Sequence, residues 1–173
     1  MTKVKQLQSE LTRLWNWCFS KKDEVFELSY KDAFMAHIVL EIMTNPSNQE
    51  FVYAPLNDLH SIHPVDNREN TIEATKKRTA IVEKEKTRLL ALKQINKETI
   101  AEILPSATYI RAVKNGENGY YTFEGNGRVA ALQNVLSSSD GITIELDLFT
   151  PRKPRRVLRY IRKLRKLHGM KKV

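Results

Sequence analysis

Tyr120-Tyr121-Thr122-Phe123-Glu124-Gly125-Asn126-Gly127-Arg128-Val129-Ala130-Ala131-Leu132 decides the fold. Its first four residues are aromatic and β-branched, which suits a strand. Its last four are apolar and open a helix that runs on through Val135 and Leu136. Glu124–Arg128 therefore has to turn the chain from strand to helix. A helix start leaves backbone N–H groups unpaired and carries the positive end of the peptide dipoles. Glycines let a ligand approach those amides, and an arginine in the first turn adds a planar, permanently charged fork. Gly125, Asn126, Gly127 and Arg128 are thus expected to form an anion-binding loop. The competing reading is a tight turn in which Arg128 pairs with Glu124 or another acid.

Before this stretch, Thr108–Val113 reads as a second strand, and Asn115-Gly116-Glu117-Asn118-Gly119 has the residues of a hairpin turn. After it, Ser137–Gly141 reads as a loop and Ile142–Phe149 as an alternating strand. Further upstream, Phe51–Ala54 is a short strand candidate followed by turn-rich Pro55–Pro64. A long helix is expected over Glu73–Gln94, with Ala74, Ile81, Val82, Leu89 and Leu92 buried and Lys and Glu elsewhere as a solvated face. Asn96 caps a short helix over Lys97–Leu104, ended by Pro105.

Two helices come first. Val4, Leu7, Leu11, Leu14, Trp15 and Cys18 share one narrow face. Ser29–Asp32 reads as a capping box for a second helix carrying Phe34, Ile38 and Ile42, which Asn45-Pro46 stops. They form an αα-hairpin, pack on the following domain, or meet a protein partner. The expected organisation is α+β: an N-terminal helical extension over 1–46, a mixed-sheet domain with flanking helices over 47–150, and a basic helix over 151–173.

Charge is concentrated at that last segment. The chain carries +9, yet residues 151–173 hold eleven of the 29 Lys and Arg and no acid, which leaves −2 on the other 150 residues. Such asymmetry points to a polyanionic partner for the tail. Val157, Leu158, Ile161, Leu164 and His168 line one face of the expected helix. Arg152, Lys153, Arg155, Arg156, Arg159, Arg162, Lys163, Arg165 and Lys166 are the candidate nucleic-acid contacts, made through phosphates. An anionic membrane surface and docking of the apolar stripe on the chain's own domain are the alternatives. Tyr160 is the one aromatic among these cations, so base stacking has little support.

No apolar run reaches the roughly 18–20 residues of a membrane span, and Met1–Gln6 lacks an apolar signal core. One cysteine, Cys18, excludes an internal disulfide and a cysteine-based zinc site. An intracellular setting is expected. His60-x-x-His63 offers two imidazoles but no third ligand at an obvious spacing, so no metal site is expected.

The order strand, turn-rich segment, helix, hairpin, Glu-Gly-Asn-Gly-Arg, Ala-rich helix, strand resembles the ParB/sulfiredoxin superfamily domain. The matching pieces are Tyr53–Leu59, Pro64-Val65-Asp66-Asn67-Arg68, Tyr120–Leu132 and Ile144–Phe149. That family's Gly-x-x-Arg box falls here on Gly125–Arg128. The resemblance implies that Gly125, Asn126, Gly127 and Arg128 touch a nucleotide's phosphates, with Asn67 and Arg68 as a second polar box. It also implies that Asp66 and Arg68 help hold a metal–phosphate or a second anion. The implied ligand is a nucleoside triphosphate with magnesium, and the implied setting is DNA maintenance or nucleic-acid processing. As an enzyme the chain would hydrolyse or transfer a phosphoryl group, as a nucleotide hydrolase, nuclease or small-molecule kinase. Asp66 or Glu124 would then supply the acid, and Arg128 would stabilise phosphate charge. Sulfiredoxin activity is excluded, because Asn126-Gly127 stands where its cysteine is needed. The roughly 24 residues after Phe149 are too few for the helix-turn-helix domain of partition proteins. Phe123–Arg128 also looks like the core of a Fic-type loop, but Tyr120, Tyr121 and Thr122 precede it where that chemistry needs histidine. The alternative function is a non-catalytic subunit that keeps the fold and holds a larger complex.

Overall fold

A computed structural model describes residues 30–64, 69–104, 109–117 and 119–171. The helix expected over residues 4–18, the box residue Ser29, and Asp66, Asn67 and Arg68 lie outside the described residues.

The described chain is α+β. It runs α1 (Tyr30–Met43), β1 (Asn48–Pro55), β2 (Leu59–Ser61), α2 (Glu69–Leu92), β3 (Gln94–Ile95), α3 (Lys97–Ile103), β4 (Arg111–Lys114), β5 (Tyr120–Glu124), α4 (Asn126–Val135), β6 (Thr143–Thr150) and α5 (Pro154–Leu167). The strands form one mixed sheet in the order β1-β6-β4-β5-β2. β6 is its axis. It pairs antiparallel with all of β1 on one side. On the other side it pairs parallel with β3 through Thr143 and Ile144, and with β4 through Asp147–Phe149. The expected hairpin is the antiparallel pair β4–β5.

Both faces of the sheet are covered. Ile144, Leu146 and Leu148 of β6 point into one core with Val82 and Leu89 of α2, Ile100 of α3, and Val129, Ala131 and Leu132 of α4. Phe149 points the other way, into a second core with Val113, Tyr121 and Phe123, beneath Ile38 and Ile42 of α1 and Val157, Ile161 and Leu164 of α5. The alternation that marks a strand thus feeds two helical layers. Each fully buried Leu- or Ile-sized side chain contributes about 1.5–3 kcal/mol, so the terminal helices α1 and α5 stabilise the sheet from one face as α2, α3 and α4 do from the other.

Several boundaries move, each for a local reason. α2 ends at Leu92 rather than Gln94, because Lys93 adopts a left-handed conformation (φ 59°) and Gln94-Ile95 then pairs with β6. Ile81 and Leu92 were expected in the buried stripe of that helix, but they are 39% and 45% exposed. The helix turns Val82 and Leu89 inward instead. Leu59–Ser61, expected as turn, is the sheet's edge strand paired parallel with β5. Asn96 does cap α3, its Oδ1 accepting from the Thr99 amide at 2.9 Å.

Candidate anion-binding cleft

Gly125 links β5 to α4 as the residue before the helix, with φ 84°, a left-handed conformation that glycine adopts without penalty. Its neighbours forbid a side chain as well: a Cβ there would lie 3.0 Å from Ile110 Cγ1 and 3.2 Å from the Tyr109 carbonyl oxygen. The amides of Arg128 and Val129 turn back onto the Gly125 carbonyl at 2.9 and 3.1 Å. Those of Asn126 and Gly127 belong to the first helical turn, which has no partner one turn earlier within the helix.

Gly127 permits a second close approach. A Cβ at this position would sit 3.2 Å from Arg78 Nη1. The guanidinium of Arg78, reaching from α2, therefore lies against the start of α4. Beside it is Arg128, only 3% exposed, whose Nη1 and Nη2 are buried without a hydrogen-bond partner among the described residues. Burial pushes the Arg128 pKa down and the charge of Arg78 adds to the effect, while Glu124 opposes it. His63, Arg78, Phe123, Glu124, Gly125, Asn126, Gly127 and Arg128 line an open cleft of about 350 Å³.

Glu124 does not close onto Arg128. Its Oε2 accepts from Arg111 Nη1 at 2.7 Å. Arg111 Nε also donates to Asp147 Oδ2 at 3.2 Å, and Asp147 Oδ1 accepts from Gln49 at 2.8 Å. The carboxylate expected as a catalytic acid is thus held by an ion pair on the sheet.

The Asn126 side chain is held within the fold by two hydrogen bonds. It is 7% exposed. Thr122 Oγ1 donates to Asn126 Oδ1 at 2.7 Å, and Asn126 Nδ2 lies 3.1 Å from His63 Nε2. His63 Nδ1 lies 2.7 Å from the Pro64 carbonyl. A carbonyl only accepts, so Nδ1 carries the proton and Nε2 accepts from the amide. The side chain of Asn126 is engaged in fixing the loop, and its backbone amide remains the group that can serve an anion.

The two histidines of the His60-x-x-His63 pair sit in different settings. His60 lies on β2 opposite Tyr121, whereas both ring nitrogens of His63 are engaged. Among the described residues no three His, Cys, Asp or Glu side chains cluster as metal ligands. Burial and Arg165 hold the His60 pKa below its ordinary value, with Asp58 opposing.

The nine cations expected on the C-terminal segment divide into groups. Arg165 is only 6% exposed. It lies over the Tyr121 ring at 5.3 Å and donates to the carbonyls of Ser61 and Lys171. It is a buried residue of α5, outside the exposed cationic face on which the sequence reading placed it. Arg156 is tied to Glu41 at 2.7 Å, Arg152 to Asn45 at 3.0 Å and Arg162 to Asn115 at 3.2 Å. Lys163 reaches the Tyr30 hydroxyl at 3.5 Å and lies 5.4 Å over the Phe34 ring. Lys153, Arg155, Arg159 and Lys166 are exposed. Of the three uses considered for this helix, docking on its own domain is the one its apolar stripe has taken. No helix among the described residues is long and apolar enough to cross a membrane.

Sequence reasoning missed Arg78. It sits in the run Lys76-Lys77-Arg78 and looks like any cation of a solvated face. Only the crossing of α2 over the start of α4 singles it out. No protein-family model, curated protein or solved structure matches the chain.

Proposed function

We propose that the chain binds a phosphate-bearing ligand, a nucleotide, at the start of α4. One observation carries this reading: the two terminal nitrogens of Arg128 are buried at an open cleft with no hydrogen-bond partner among the described residues. A buried cation without a hydrogen-bond partner costs several kcal/mol, so the arrangement favours a ligand that satisfies it. Arg78, the first-turn amides of α4 and the helix dipole add to the attraction. The resemblance to ParB-like domains supports the same ligand class, since its Gly-x-x-Arg box falls on this loop.

The outer face of α5 is proposed as a nucleic-acid contact. Lys153, Arg155 and Arg159 remain exposed there after the apolar stripe has docked.

The second reading, a binding subunit without turnover, is favoured by Glu124. Its carboxylate is held by Arg111 at 2.7 Å, and His63 has both nitrogens committed. Neither is placed as a free base, so a phosphoryl-transfer enzyme would rest on Asp66. Calorimetric titration with the four ribonucleoside triphosphates, with and without magnesium, tests the binding. Heat with at least one supports the proposal, and none with any ends it. Release of phosphate during the same incubation separates enzyme from binding subunit.

A further inference from the structure

A second cavity, sharing no residue with the cleft, lies where the end of α5 passes over β5. Its volume is about 270 Å³, and Tyr121, Arg162, Arg165, Lys166, Met170 and Lys171 line it. Four of these six side chains are cationic and none is acidic. Arg165 is the innermost, with its hydrogen bonds going to the neutral carbonyls of Ser61 and Lys171. Arg162 likewise meets a neutral amide oxygen, that of Asn115. The local charge is therefore uncompensated by any side chain in the wall. Tyr121 and Met170 supply an apolar floor and side.

We propose that this cavity binds a small phosphate monoester with a compact apolar body. The four cations match a dianion, and the aromatic and thioether surfaces match the body. A volume slightly below the usual roughly 300 Å³ for ligand sites limits the occupant to about the size of phenyl phosphate. Arg162, Arg165 and Lys166, whose spacing alone suggested a nucleic-acid face, line this pocket instead. It does not depend on the cleft at α4.

The test uses phenyl phosphate as probe, inorganic phosphate as head group alone and benzyl alcohol as body alone. Calorimetry is performed on the full chain carrying Arg128→Ala, which removes the cleft's buried guanidinium. One equivalent of phenyl phosphate is expected to bind this protein, with both partial probes at least 10-fold weaker. The exposed pair Arg162→Glu and Lys166→Glu, added to it, is expected to weaken phenyl phosphate by at least ~10-fold, the scale of a single lost charged hydrogen bond. Met170→Trp is expected to block binding by filling the cavity, with an unchanged melting temperature as the control for folding. No binding to the Arg128→Ala protein overturns the proposal. So does binding that both the double charge reversal and Met170→Trp leave intact, or inorganic phosphate binding as tightly as the ester.

Discussion

Arg111 Nη1 holds Glu124 Oε2 at 2.7 Å, across the β4–β5 pair. Glu124 lines the same cleft as Arg128, four residues further along, yet among the described residues no hydrogen-bond partner reaches the terminal nitrogens of Arg128. Arg111 also anchors Asp147, which is only 3% exposed. Replacing Arg111 by alanine is expected to have two effects. Stability falls by about 3 kcal/mol as the buried Asp147 loses its charge partner. Affinity for pyrophosphate also falls, because Glu124 is freed to compete for Arg128, although Arg111 does not line the cleft. Denaturant unfolding measures the first effect and calorimetry the second. Unchanged pyrophosphate affinity would show that Glu124 has no influence on the site.

The docked position of α5 makes it a structural element. Ile161→Ala is expected to destabilise the protein by about 2–5 kcal/mol, as for other large-to-small changes in a packed core. Urea unfolding checks this. The same packing means that truncation after Phe149 removes Val157, Ile161 and Leu164 from the second core, so loss of nucleic-acid binding on truncation would report unfolding.

Charge reversal on the outer face isolates the nucleic-acid contact instead. Arg155→Glu with Arg159→Glu changes two exposed side chains and is expected to leave the melting temperature within a few degrees. Binding to a duplex oligonucleotide should weaken. The dependence of log K on log salt should flatten by about 2, one for each phosphate contact removed. Fluorescence anisotropy over a salt series reads both, and an unchanged slope would remove this face as the contact.

The depressed pKa of His60 gives stability a defined pH dependence. Burial and Arg165 disfavour the imidazolium in the folded state, so the unfolded chain binds the proton more readily. The stabilisation is complete above the unfolded value of 6.5 and is lost as pH falls through 6.5 toward the folded value. His168 shifts in the same direction, through burial, Lys31 and His63, with Asp32 opposing. Unfolding free energy should therefore decline below about pH 6.5, and His60→Gln should flatten that decline. A slope unaltered by the substitution would assign the pH effect elsewhere.

Much of the fold is legible because its signals are local. Tyr120–Phe123, the glycines of the loop and the alternation of Ile142–Phe149 each specify their own geometry. Asn96 and Asn45 mark a helix start and a helix stop through their own side-chain and backbone chemistry. What the sequence does not reveal depends on elements far apart along the chain. Leu59–Ser61 and Gln94-Ile95 are too short to carry a strand pattern, and they exist because β5 and β6 offer unpaired edges. Arg78 becomes a site residue only where α2 meets Gly127. Arg165 looks like its cationic neighbours until Tyr121 and the Ser61 carbonyl appear beneath it. Phe51 and Tyr109, 58 positions apart in sequence, bring their rings to 5.9 Å with the Lys97 ammonium 4.6 Å over Phe51, an aromatic–cation cluster that no linear reading contains.

The claim that Arg128 is a ligand-binding cation has a direct measurement. Melting temperature is recorded with increasing pyrophosphate for the wild-type protein and for Arg128→Met, which keeps the bulk and removes the charge. The account predicts that wild type gains stability with ligand, by about 2.7 kcal/mol at 100 times the dissociation constant. It also predicts that Arg128→Met is at least as stable without ligand, since an unpartnered buried cation has been removed, and that pyrophosphate no longer raises its melting temperature. An Arg128→Met protein that is destabilised without ligand yet still responds fully to pyrophosphate would contradict it.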